Sequence, residues 1–184
     1  MKTLKKTGLG LLTLVVVLSL VSQLLPRRVR VERSGVINAT PSTVFEQINT
    51  LKNWEKWSPW HRLDPQMQLT YSGPAAGVGA RYAWTSADSD VGNGSFTITG
   101  SVPARRIDAE MNFMEEGTAT CSYQLEPAGH GTRISWVMES DMGYNPLSRY
   151  MGLLMDHFVG SDFEKGLRNL QEVAGDAPVA SAQY

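Results

Sequence analysis

At 184 residues the chain is long enough for one domain with a real core and a short appended segment. Its net charge of −1 conceals an asymmetry: residues 1–33 carry seven Lys/Arg against Glu32 alone, while the remaining 151 carry ten basic and seventeen acidic side chains, a net of −7. An acidic body is a poor phosphate-backbone binder, so no nucleic acid partner is expected, and the single Cys121 excludes an internal disulfide and a cysteine-rich metal site.

The first segment is the most apolar. Gly8 to Leu25, GLGLLTLVVVLSLVSQLL, is eighteen residues without a charge, preceded by three lysines. A bilayer core of about 30 Å needs roughly 20 mostly apolar helical residues, which predicts a membrane anchor over residues 1–26. A cleaved signal peptide is the competing reading, but VSQLLPRR lacks small residues at −3 and −1 of a cut site. The expected location is single-pass in a membrane, a bacterial inner membrane by preference. Lysines flank one side and four arginines the other, so the side that holds the domain stays open.

After Pro26, RVRVERSGVIN alternates and reads as a strand. ATPSTVFEQINTL then starts a helix, with Thr40 as N-cap, Pro41 at the first helical position and a stripe of Val44, Phe45 and Ile48. LKNWEKWSPWHRLDP follows, carrying Trp54, Trp57 and Trp60. NWEKW is long enough for one more helical turn before Pro59, giving two short helices after the first strand. Trp54, Trp57 and Trp60 recur every three residues, with Pro59 interrupting the helix before the third, and at least two of them are expected to pack inward as the wall of a pocket.

From Gln66 to Met142 the period becomes two. MQLTYSG, ARYAWTS, GSFTITGS, RIDAEMNF, TATCSYQLE and TRISWVMES read as six strands, joined by short Gly-, Asp- and Asn-rich turns that favour an antiparallel meander. The alternation assigns an inner face to Tyr82, Trp84, Phe96, Ile98, Ile107, Ala109, Met111, Phe113, Cys121, Tyr123, Leu125, Ile134, Trp136 and Met138. The opposite face carries Arg81, Asp108, Glu110, Asn112, Ser122, Gln124, Glu126, Arg133, Ser135 and Glu139 and is expected to be solvated.

Helical spacing returns at NPLSRYMGLLMDHFVGSDFEKGLRNLQEVA, with a stripe of Leu147, Tyr150, Met151, Leu154, Met155 and Phe158, resumed by Phe163, Leu167 and Leu170. Gly160 and the capping-box pattern SDFE predict a bend near residue 160. A small, polar tail, 175–184, is expected to be disordered. Seven strands with one apolar face need a cover, and the long C-terminal helix is the available one. A curved sheet gripping a helix predicts an elongated apolar cavity.

The run VERSGVINATPSTVFEQINTLKNWEKWSPW, then LTYSGPAAGVGARYAW, GSFTIT and MGLLMDHFVGSDFEKGLRNL, resembles the START-like superfamily, also called SRPBCC, across residues 29–174. Within it the chain is similar to bacterial polyketide cyclase/dehydrase and lipid-transport type proteins. The resemblance implies an α+β helix-grip fold over residues 27–174: a seven-stranded curved antiparallel sheet around a long C-terminal helix, with two short helices after strand 1. With the anchor, it implies an N-terminal transmembrane helix as well. One superfamily fold hosts lipid carriers, cyclases, hydrolases and co-chaperones, so activity does not follow from fold.

The expected function is a membrane-anchored domain that binds a lipid, quinone or polyketide-like molecule without chemistry, for transport, sequestration or sensing. The expected cavity walls are Trp54, Trp57, Trp60, Tyr82, Trp84, Phe96, Ile98, Met111, Phe113, Tyr123, Trp136, Met138, Met151, Leu154, Met155 and Phe158. Methionines among aromatic rings suit a deformable site for irregular ligands. A cyclase or dehydratase is the rival, for which a general acid or base must come from loop residues His61, Asp64 or Asp141. Asp156 and His157 are neighbours on a helix and do not face each other. A co-chaperone-like or effector-sensing module is a third reading. The three histidines have no metal spacing, so neither metal nor cofactor is expected.

Overall fold

The structure, a computed structural model, describes residues 2–114 and 117–175, and side chains from residue 7 onward. Helix α1 (Lys2–Ser22) leads into strand β1 (Arg28–Ile37). Three short helices follow a longer one: α2 (Pro41–Asn49), a 3-10 turn at Leu51–Asn53, α3 (Trp54–Trp57) and α4 (Pro59–Leu63). The helical region after β1 is thus more divided than two short helices. Thr40 caps α2 by accepting from the Thr43 amide, and Pro41 and Pro59 each stand at a helix start, where a missing N–H costs nothing.

The strands are β2 (Gln68–Ser72), β3 (Arg81–Thr85), β4 (Asn93–Val102), β5 (Arg106–Asn112), β6 (Thr118–Ala128) and β7 (Gly131–Asp141). They form one antiparallel sheet in the order β1-β7-β6-β5-β4-β3-β2, so the meander closes against β1. A register shift between Ile98 and Gly100 bends β4. Period-two burial holds on β5 and β6, with Ile107, Ala109 and Met111 buried on the first and Cys121, Tyr123 and Leu125 on the second, and lapses on β4 and β7, where Ser95 and Val137 are buried as well. Arg81, Glu110, Gln124, Arg133 and Glu139 are exposed on the other face.

The C-terminal helix is in two pieces, α5 (Pro146–Gly152) and α6 (Met155–Gly175), and α6 lies across the concave face with Phe163, Leu167, Leu170 and Ala174 buried. The break falls at Leu153–Leu154, and α6 runs unbroken through Gly160. Gly160 is small for a packing reason instead: a side chain there would collide with the Arg33 guanidinium. The expected disordered tail lies, apart from Gly175, outside the described residues.

The transmembrane helix is corrected. Among the described residues, no helix is long and apolar enough to cross a membrane. Three lysines occupy the first turns of α1, leaving Thr7–Ser22, sixteen residues, as its uncharged part. At 1.5 Å per residue that is about 24 Å, short of the about 30 Å of a bilayer core. The rest of the apolar run, Gln23–Leu25, leaves the helix and joins it to the domain, where Arg149 donates to the Gln23 and Leu25 carbonyls at 3.3 and 2.6 Å. The expectations built on that span, a membrane-anchored function, a membrane partner and a single-pass inner-membrane location, lose their basis with it.

Candidate functional site

The interior between sheet and α6 is a layer of rings. Phe96, Tyr123 and Trp136, from β4, β6 and β7, are each at most 1 % exposed, and Tyr82 of β3 is buried beside them. Trp54 meets Phe96 at 4.6 Å and Tyr123 edge-on at 6.0 Å. Trp57 meets Trp136 at 5.9 Å, and Trp136 stacks on Phe163 of α6 at 3.9 Å and 12°. This stack requires Gly166, because a Cβ there would press into the Trp136 ring. Most of these pairs are tilted or edge-on, the arrangement that ring quadrupoles prefer.

The tryptophan segment is built from local bonds. The Trp54 indole donates to the Ile48 carbonyl at 2.8 Å and the Trp57 indole to the Gln47 carbonyl at 3.1 Å, so α2 orients both rings. Asn169 of α6 donates to the Trp57 carbonyl and accepts from Arg62, which pins the segment to the gripped helix. Trp54 and Trp57 are buried, while Trp60 is half-buried with its ring 6.0 Å from Trp136.

One end of the layer is sulfur-rich. Met111, Cys121 and Met138 are buried there on adjacent strands with Trp84 and Ile98, and Cys121 Sγ lies 3.2 Å from Met111 Sδ. Burial pushes the Cys121 thiol up to about 12, with the approach of the Trp136 indole N–H to the sulfur acting in the opposite sense. Burial likewise raises Tyr82 and Tyr123 well above an ordinary phenol, and each is raised further by Cys121. All three heads are therefore neutral at physiological pH and close enough to influence one another.

The other expected wall residues divide by position on the last helices. Phe113 and Met155 are half-buried and pack against the core. Met151, Leu154 and Phe158 are 50 %, 46 % and 58 % exposed, because the break at Leu153–Leu154 turns them away from the sheet. They stand with Leu147 and Leu153 as an apolar collar at the α5–α6 junction.

Among the described residues, two of the grooves that open on the surface are lined by none of the expected wall residues. One of about 380 Å³ lies among Arg28, Arg30, Glu110, Thr120, Glu139 and Asp141 at the ends of the strands. The other, of about 250 Å³, lies between Leu51–Lys52 and the β2–β3 connection.

His61, Asp64 and Asp141 make no hydrogen bond to one another. Asp64 accepts from Ser86 Oγ and the Gln66 amide. Asp141 pairs with Arg27 at 2.7 Å and accepts from the Gly143 amide, and the Arg27 hydrogen bond, then that amide, hold its carboxyl below the usual carboxylate range. A carboxylate held ionised by an arginine is a poor general acid near neutral pH. His61 sits on α4 with Nδ1 buried and unbonded. Among the described residues no group of His, Cys, Asp and Glu is placed to hold a metal ion.

Sequence reasoning missed two arginines. Arg33 points from the inner face of β1 and pairs with Asp156 and Glu164, both at 2.9 Å. Its signal was in the alternation, since Val29, Val31, Arg33, Gly35 and Ile37 share one face. Arg149, buried at the turn after α1, had no local signal.

A curved antiparallel sheet closed around a C-terminal helix, with its aromatic face turned inward, defines a helix-grip domain of the SRPBCC superfamily. The chain belongs to the family described as polyketide cyclase / dehydrase and lipid transport, whose model matches residues 28–175. Among solved structures it is similar to Ara h 8.0201, at 16 % identity and a TM-score of 0.59, covering 80 % of this chain and 97 % of that one. A protein from Rhizobium leguminosarum gives 17 % and 0.59 over 80 % and 95 % of the two chains. One from Arthrobacter aurescens gives 14 % and 0.59 over 85 % and 91 %. Likeness at these identities concerns the fold alone. Among curated proteins none matches the chain.

Proposed function

We propose that the domain binds a hydrophobic small molecule between the sheet and α6, for carriage, sequestration or sensing and without chemistry on it. The observation that carries this reading is the ring layer on the concave face, Tyr82, Phe96, Tyr123 and Trp136 opposed by Trp54 and Trp57. Membership of a family that includes lipid transport supports it. A ligand enters by moving side chains that can move. Met111, Met138 and Met155 border the layer, and unbranched thioethers re-pack at low cost. The exposed collar of Met151, Leu154 and Phe158 supplies an apolar mouth where the last helix is already broken.

The test is a titration of the full chain with indane, an apolar bicycle without polar atoms, followed by the five indole N–H signals in a nitrogen–proton correlation spectrum. Saturable shifts of the Trp54, Trp57 and Trp136 signals are expected. Shifts absent from all three, or rising linearly without saturation, overturn the reading.

A further inference from the structure

The ring layer hides two donors that no oxygen or nitrogen of the protein satisfies. Buried indoles here are otherwise satisfied: Trp54 donates to Ile48, Trp57 to Gln47, and Trp84 to the Val91 carbonyl at 3.3 Å. Trp136 is 1 % exposed, and its Nε1 meets no oxygen or nitrogen acceptor within the protein. Its polar neighbour is the Cys121 thiol, and sulfur is a weak acceptor. Tyr123 is likewise 1 % exposed, and its hydroxyl has no partner, whereas the Tyr71 hydroxyl is bonded to Glu55 at 2.6 Å. Tyr123 and Trp136 face each other across β6 and β7, their rings 5.2 Å apart.

A buried donor without an acceptor costs about 1–3 kcal/mol, so native interiors keep only a few, and each calls for an explanation. Two on paired residues, at the centre of the surface read above as the ligand-binding wall, form a matched set. An indole N–H can only donate, and a phenol beside it supplies a second donor. What they lack is an acceptor. The charge of that acceptor is limited too. Among the described residues the buried polar and charged ones are Ser22, Ser58, Ser95, Thr132, Arg149 and Asn169, and Arg149, the cation of this set, is committed to the Gly143 and Leu25 carbonyls. A carboxylate or phosphate inside the ring layer would stay unpaired, at a cost that donors alone do not offset.

We infer that the bound molecule is a neutral, apolar compound carrying a carbonyl-type oxygen, which accepts from Trp136 Nε1–H and the Tyr123 hydroxyl. This rests on the binding proposed above and adds the functional group that the interior selects. A hydrocarbon or a free fatty acid fits the ring layer worse than a ketone, ester or quinone of equal size. The other two unpaired buried atoms, Gln47 Oε1 and His61 Nδ1, belong to α2 and α4 on partly exposed residues and take no part.

The experiment compares indane with 1-indanone, which adds one carbonyl to the same skeleton, on the full chain and on W136F and Y123F. Each neutral hydrogen bond is worth about 1 kcal/mol, so with two of them wild type is expected to bind the ketone about thirtyfold tighter than the hydrocarbon. The Trp136 indole proton should move downfield with the ketone alone. Each variant is expected to lose most of the preference, read as the ratio of its own two affinities, whatever the change in its affinity for indane. Equal binding of both probes by wild type, or a preference that survives in both variants, overturns the inference and leaves hydrophobic binding standing. Binding of neither probe overturns both. A buried water as the standing partner of these donors would show as no ketone preference with a Y123F protein less stable than wild type, and that result also overturns it.

Discussion

The guanidinium of Arg33 occupies the space that a side chain at Gly160 would fill. Its donors reach Asp156 on one side of that glycine and Glu164 on the other, each at 2.9 Å, and its side chain is 25 % exposed. One arginine of β1 thus clamps two turns of α6. In an ordinary helix interior Gly→Ala stabilises by about 1 kcal/mol through helix propensity. At this position the new methyl must evict a cation held on both sides. G160A is therefore expected to lower stability by about 1 kcal/mol, while G160A in an R33A background is expected to raise it by about that amount. Urea unfolding of the four proteins measures the coupling, and additive effects would remove the clamp from the account.

The same pair sets an acid limit. The Arg33 hydrogen bond is the main cause that holds the Asp156 carboxyl below the usual carboxylate range. A carboxyl depressed in the folded state contributes stability that is present above its unfolded pKa, about 3.9, and lost as pH falls through the folded value. The thermal midpoint should thus decline on acidification below about pH 4, and D156N should decline less steeply over that window. Identical slopes in the two proteins would contradict the assignment. The magnitude will be small, because the carboxylate is largely exposed and salt screens it.

Tyr123 offers a test without any ligand. Removing a buried hydroxyl that is hydrogen-bonded costs about 1 kcal/mol, whereas removing one that lacks a partner relieves a desolvation penalty. The Tyr123 hydroxyl is of the second kind. Y123F is expected to be at least as stable as wild type, by up to about 1 kcal/mol, in urea unfolding of the ligand-free chain. Y71F, which loses the bond to Glu55, is the control expected to move the other way or not at all.

How far the sequence carried depends on the range of the interaction. Strand faces were legible because alternation is local: Met111, Cys121 and Trp136 stand inward as their parity requires. Thr40 and Pro41 announced α2 in the same local way. Gly160 misled, since a glycine within a helical pattern signals a bend or a close approach alike, and only the position of Arg33 on a distant strand decides which. Met151, Leu154 and Phe158 were assigned to the wall by periodicity continued through Leu153–Leu154, where the helix stops and its phase is lost. The unpaired heads of Tyr123 and Trp136 were invisible in principle. Satisfaction of a donor is a tertiary property, and the residue type says only that a partner is wanted.

The apolar run at the start of the chain was the largest misreading, and its resolution depends on Arg149. This arginine is 5 % exposed, bonds the Gly143 carbonyl at 2.8 Å, and sends Nη1 to the carbonyls of Gln23 and Leu25. The last carbonyls of a helix have no partner within it, and a cation there is also favoured by the helix dipole. Tyr150 adds a bond from its hydroxyl to the Leu18 carbonyl at 2.9 Å, so α5 holds α1 from two adjacent residues. R149A leaves several carbonyls without a donor and is expected to cost about 2–3 kcal/mol. Its signature should be local: faster proteolysis between Ser22 and Arg28, with the indole spectrum of Trp54, Trp57 and Trp136 unchanged. R149K is expected to recover only part of the protection, because one ammonium cannot reproduce the planar fork that bridges Gly143 to Leu25. Full recovery by lysine would show that charge at the helix end, and not the forked geometry, fastens α1 to the domain.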